Sequence, residues 1–142
     1  MSLIPRQRVV VPYDFSNESL SAIDAALDTV DSPEHVWILH VLEEISPAEP
    51  GEIWDAVDHE SRRQHALQRL RADLADHKYQ GIHIEVQFGD PGHTIADFAG
   101  EQKADLVVMP SHGRTGLKRI LIGSVAERVV RLAHCPVLVL RS

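Results

Sequence analysis

Five short apolar runs punctuate this chain, and the stretches between them carry helical periodicity; that alternation restricts the fold more than any other feature. The runs are Val9–Pro12, Val36–Val41, Ile82–Val86, Leu106–Met109 and Pro136–Leu140. Four are nearly continuous and read as strands covered on both faces. The third, Ile82-His83-Ile84-Glu85-Val86, alternates and reads as a strand with one face or edge more exposed. Ser16 is placed to cap a helix with Leu20, Ile23, Leu27 and Val30 on one face, and Asp31-Ser32-Pro33 breaks it. A long charged helix runs from Ile53 or Val57 to His77, with Leu67, Leu70 and Leu74 inward. Asp90 caps a third helix with Pro91 in its first turn and Ile95, Phe98 and Ala99 facing the core. Ser124 opens the last helix, with Val125, Val129 and Leu132 inward. Residues 43–52 and Pro110–Ile122 read as loops, the second bearing glycines and basic residues.

Strands alternating with helices imply a parallel sheet with helices on both faces. Right-handed crossovers then favour a doubly wound, Rossmann-like α/β fold with strand order 3-2-1-4-5. The 142 residues suit one domain over 1–142, with no internal repeat or low-complexity tract. The last strand is strongly apolar and would be a sticky exposed edge. Pairing with its copy would cover it, so a two-fold homodimer through Val137–Leu140 is expected.

The bulk chemistry excludes several classes. A net charge of −7 argues against a general nucleic-acid binder, which needs a basic face. The lone Cys135 permits neither an internal disulfide nor a cysteine-based zinc site. The first residues hold no apolar stretch long enough for a signal peptide, and no run elsewhere is long enough to span a bilayer. A soluble cytoplasmic protein is the expectation.

Open parallel sheets bind ligands beyond the carboxyl ends of their strands, where strand order reverses. Tyr13-Asp14-Phe15 follows the first strand and Pro110-Ser111-His112-Gly113 the fourth. The second loop leads to Gly123-Ser124 at a helix start, where unpaired N–H groups and the positive dipole end suit phosphate. Between Ser111 and Arg131 lie five basic residues (Arg114, Lys118, Arg119, Arg128, Arg131) and one acidic, Glu127. That local +4 leaves −11 on the rest of a chain totalling −7, a pattern that fits a small polyanion better than DNA. A plainer reading competes: Ser124 and Glu127 form a capping box by spacing, and Gly113 and Gly116 shape a turn.

Four segments, Val9–Ser16, Ser111–Gly116, Gly123–Glu127 and Cys135–Val139, together resemble the universal stress protein family over essentially the whole chain. The nucleotide-binding branch of that family carries Gly, two residues, Gly, nine residues, then Gly-Ser or Gly-Thr; here Gly113 and Gly123-Ser124 keep the spacing and Pro110 holds the first glycine position. The resemblance implies ATP or another adenine nucleotide, with Mg²⁺ as a companion ion. It implies Pro12 and Asp14 near adenine and ribose, Val41 meeting the adenine edge through its backbone, and Met109 and His112 flanking ribose and phosphates. It implies Gly113, Gly123, Ser124 and Val125 on the phosphates, and dimerisation through the last strand.

Asp14 also fits a loop-capping aspartate, and His112 also fits a general base, though no second group is visible to orient it. The nine histidines show no His-x3-His spacing on a helix, so His59, His65 and His77 read as solvated. Cys135 and Trp37 read as packed, and Trp54 as either a cover over the crevice or a helix-packing residue. Three functions follow: a nucleotide-binding stress or regulatory protein, a same-fold interaction module without nucleotide, or a slow ATPase. The Walker pattern is absent, as are Ser-Gly-Gly-x-Asp and His-x-Gly-His loops, so no residue is assigned a catalytic role.

Overall fold

A computed structural model describes residues 4–44, 52–112 and 122–141, and residues 52–57 by backbone alone. The elements are β1 (Val9–Pro12), α1 (Asn17–Leu27), β2 (Val36–Leu42), α2 (Glu52–Asp73), β3 (His83–Phe88), α3 (Pro91–Glu101), β4 (Leu106–Pro110), α4 (Ser124–Leu132) and β5 (Val137–Leu140). Short 3₁₀ turns at Pro33–His35 and His77–Tyr79 precede β2 and β3. The five strands form one parallel sheet in the order β3-β2-β1-β4-β5, as the alternation of runs predicts. β3 and β5 are its edges.

The central strands β1, β2 and β4 are largely apolar because both faces are covered, while the edge strands expose His83 and Glu85 of β3 and Leu138 of β5. Val9 and Val11 of β1, Val36 and Ile38 of β2 and Val108 of β4 pack with Ala22, Ile23 and Ala26 of α1 and with Leu70 of α2. The intervening Val10, Leu39, Val107 and Met109 pack on the opposite face with Ile95, Phe98 and Ala99 of α3 and Ala126 and Val129 of α4. Phe98 is fully buried, so Phe98→Ala would cost about 3–5 kcal/mol.

Several boundaries and faces differ from the sequence reading. α2 ends at Asp73 rather than His77, because Asp76 accepts the Lys78 N–H and starts a separate turn. β3 runs to Phe88, carried on by its pairing with β2 through Leu42. The buried face of α1 is Ser19, Ala22, Ile23 and Ala26; Leu20 and Leu27 pack at its margin, and Val30 lies beyond the helix. In α4 only Ala126 and Val129 are buried, while Val125 and Leu132 are exposed. Trp37 is half-buried, its ring stacked on His83, rather than a core residue. Among the described residues no helix is long and apolar enough to cross a membrane.

Candidate functional site

Strand order reverses between β1 and β4, and the loops leaving both carboxyl ends meet there. Pro12 closes β1 half-buried, and the next residue, Tyr13, donates its N–H to Leu39 O at 2.9 Å. Asp14 folds its carboxylate back on the start of α1: Oδ1 accepts the Ser16 N–H and the Ser19 hydroxyl, each at 3.0 Å. Ser16 in turn caps α1 by accepting the Ser19 N–H at 3.1 Å, as its position predicts. These bonds fix where Asp14 sits at the mouth of the crevice.

Two residues that sequence reasoning missed, His40 and Arg69, brace this loop around Phe15. Phe15 has φ of 67°, a left-handed conformation that costs an L-residue about 1–2 kcal/mol. Its ring is held edge-on to Tyr13 at 5.2 Å, tilted on His40 at 4.7 Å, and under the Arg69 guanidinium at 4.1 Å. His40 donates its Nδ1–H to Tyr13 O at 2.7 Å, since a carbonyl only accepts. Burial pushes the imidazole pKa down, although that hydrogen bond opposes the shift. Arg69 reaches Phe15 from α2, a pairing that no local spacing announces.

On the other side of the crevice, Ser111 is buried and acts as a junction. Its N–H donates to Leu140 O at 2.7 Å, and its carbonyl accepts the Gly123 N–H at 2.6 Å. The second bond brings the start of α4 against His112. Gly123 has an ordinary φ of −73°, so close approach rather than backbone freedom requires glycine there. A Cβ at 123 would lie 2.9 Å from Ser111 O and 3.6 Å from His112 Cα, both backbone atoms. Gly123 is the N-cap of α4 and no side chain caps the helix. The N–H groups of Ser124, Val125 and Ala126 therefore lack an intrahelical acceptor.

The capping box expected at Ser124 and Glu127 does not form. Ser124 is the first helical residue rather than the cap, and Glu127 turns to Arg131 at 2.8 Å. The basic island is also smaller than its residue count. Arg128 Nη1 lies 3.1 and 3.2 Å from the two carboxylate oxygens of Asp90, the N-cap of α3. Gly113, Arg114, Lys118 and Arg119 lie outside the described residues.

His112 is half-buried, with Nδ1 3.2 Å from Ser111 Oγ, while its Nε2 is buried without a hydrogen-bond partner. Ser124 and Val125 are exposed at the helix start. Met109 is 4% exposed and packed in the core, so its backbone rather than its side chain is available. Val41 lies half-buried one residue before the end of β2. Pro110 ends β4. Val107 and Ser111 donate their N–H groups to β5, so alternation turns the Pro110 nitrogen toward the β1 side, past the last β1–β4 pair at Val10 and Val107. The sheet loses no ladder bond to this proline, while the crevice lacks one donor.

Among the described residues no three His, Cys, Asp or Glu side chains converge as a metal site. Cys135 is half-buried, and burial raises its thiol pKa. An uncapped helix start, a glycine whose missing Cβ leaves room, and an orphan imidazole nitrogen together fit a phosphate-bearing ligand.

The sequence model described as the universal stress protein family matches residues 5–141. Universal stress protein MJ0531 of Methanocaldococcus jannaschii is 38% identical over 141 residues, covering 95% of this chain and 82% of the relative. The structure of hypothetical protein MJ0577 superposes with a TM-score of 0.78 at 26% identity, over 98% of both chains. A universal stress protein in complex with cAMP superposes with a TM-score of 0.59 at 25% identity, over 96% of this chain and 97% of that one.

Proposed function

The chain belongs to the universal stress protein family, and on that premise we propose that it is an adenine-nucleotide-binding regulatory protein of the stress response. In this reading residues 1–142 form a single cytoplasmic nucleotide-binding domain that works as a homodimer. Pro12 and Asp14 border adenine and ribose, the Val41 backbone meets the adenine edge, and the Met109 backbone and His112 flank ribose and phosphates. Gly113, Gly123, Ser124 and Val125 receive the phosphates, with Mg²⁺ held chiefly by the nucleotide. Binding shifts the shape or partner surface of a dimer paired through Val137–Leu140.

The observation that carries this reading is the Ser111–Gly123 hydrogen bond at 2.6 Å. It brings the uncapped start of α4 against His112, whose ring carries the unpartnered Nε2, and that neighbourhood supports a phosphate-bearing ligand. The cAMP complex of a structural neighbour supports an adenine nucleotide as the ligand class. Calorimetry on protein freed of ligand tests it, with ATP and cAMP as separate arms. Heat from either supports the reading, the stronger arm names the preferred nucleotide, and no heat from both overturns it.

Pro110 favours a second reading, an interaction module of the same fold without nucleotide. It predicts silent calorimetry for the wild type and recovered binding in Pro110→Gly. Tight ATP binding by the wild type sinks it.

A further inference from the structure

At the carboxyl ends of β2 and β3, on the β3 side of the sheet, three side chains of α2 converge on one ring. His59, Arg62 and Arg63 share a helix face by their spacing of three and four. The His59 imidazole stacks on Phe88, the last residue of β3, at 4.4 Å and 28° between planes. The guanidinium carbons of Arg62 and Arg63 lie 5.4 and 5.5 Å from the centroid of that same ring. Arg62 donates from Nη2 to Glu43 O at 2.9 Å, but its Nη1 is buried without any acceptor. No ion pair among the described residues involves either arginine.

This arrangement is incomplete as it stands. Two like charges share one aromatic ring, whose quadrupole attracts each weakly and does nothing for their mutual repulsion. Buried donors in folded proteins nearly always have an acceptor, and a guanidinium N–H left bare is costly. What sets this pair apart is that two neighbouring guanidinium groups gather on one ring and one of them keeps a buried nitrogen without an acceptor. A single anion with several oxygens would satisfy Nη1 and screen both charges, because the guanidinium fork matches carboxylate and phosphate geometry.

We propose that Arg62, Arg63 and His59 around Phe88 form a binding site for a small oxyanion, a phosphate or carboxylate group of a free metabolite. The candidate anion site sits at the edge strand β3, where Phe88 pairs with Leu42 next to Val41, and is set apart from the phosphate end of the proposed crevice at β4 and the start of α4.

Thermal unfolding of the full chain in sodium phosphate, against sodium chloride at matched ionic strength, tests the proposal. The wild type should gain stability saturably with phosphate, as a ligand of the native state must produce. Arg62→Gln combined with Arg63→Gln should lose that gain while keeping the wild-type far-UV spectrum. Arg62→Lys keeps the charge but not the fork, and should weaken phosphate by about tenfold. A flat phosphate curve for the wild type overturns the proposal. So does an equal gain in the double variant, which would place the anion elsewhere, such as the start of α4.

Discussion

The backbone N–H of Gly123 donates to the carbonyl of Ser111 at 2.6 Å, and a Cβ at 123 would lie 2.9 Å from that same oxygen. One contact thus explains both why glycine stands here and how the start of α4 is placed.

That contact separates two effects at adjacent positions. Gly123→Val drives a side chain into backbone, so it should lower Tm and reduce ATP affinity by more than about tenfold, as expected for loss of a placed helix terminus. Ser124→Ala should leave Tm within about 1 °C, because the hydroxyl caps nothing. It should still weaken ATP by about threefold to tenfold, the loss of one hydrogen bond to a charged group. Calorimetry and thermal melts on both variants check this. A normal ATP affinity in Ser124→Ala would remove that hydroxyl from the phosphate site.

The Asp90–Arg128 contact ties the cap of α3 to α4. Hydrogen bonds from the His93 side chain and backbone, with Arg128 adding to them, lower the Asp90 pKa from 3.8 to about 2. Arg128 also lays its side chain where a Cβ on Gly92 would be, 2.6–2.8 Å away. Asp90→Ala should cost about 1 kcal/mol, the usual worth of a cap, or about 3 °C in Tm. Because the folded pKa is depressed, this stabilisation is complete above the unfolded value near 3.8 and is lost as pH falls through about 2. Denaturation curves of wild type and variant should therefore stay apart at neutral pH and converge in acid.

Tyrosine ionisation gives an opposite sign. Burial first, and then the 2.7 Å hydrogen bond to Asp73, raise the Tyr13 pKa; burial and the 2.8 Å bond to Asp24 raise Tyr79. Stability from these groups is complete below the ordinary value of 10.0 and is lost as pH rises through their folded values. Phenolate absorbance should stay low at that pH in the folded protein and rise only with alkaline unfolding. Tyr13→Phe should cost about 1 kcal/mol at neutral pH.

The proposed dimer makes a test on one edge. Pro136 and Leu140 turn their carbonyls to β4, so alternation turns the backbone groups of Val137 and Val139 outward along β5. Val139→Pro removes one outward N–H and leaves the β4 ladder in place. Light scattering should show a dimer for the wild type and a monomer for the variant. A monomeric wild type would end the idea.

Strand identity was legible because strands covered on both faces need apolar residues without interruption, as in Val9-Val10-Val11. The start of α3 was legible because Asp90 and Pro91 act locally. The phase of α4 was not. In nine residues with valines on several sides, only the packing of Ala126 and Val129 decides which face is inward. Of the candidate site, Gly123-Ser124 at a helix start was legible in the sequence, Gly113 lies outside the described residues, and the free positive charge at Arg128 was overstated. Arg128 finds its carboxylate 38 residues away in sequence, through helix packing that no short pattern encodes. The bracing of Phe15 by His40 and Arg69 escaped notice for the same reason.

Ser111 has one further consequence. A single residue spans two jobs: its amide closes the end of β5 and its carbonyl holds the start of α4. A ligand that shifted the helix start would act on a residue that also holds the end of β5. Thermodynamic reciprocity then applies, so that if a nucleotide tightens the pairing of two β5 edges by some factor, pairing tightens the nucleotide by the same factor. Occupancy would then report protein concentration as well as ligand concentration, and the dimer would behave as a two-input gate.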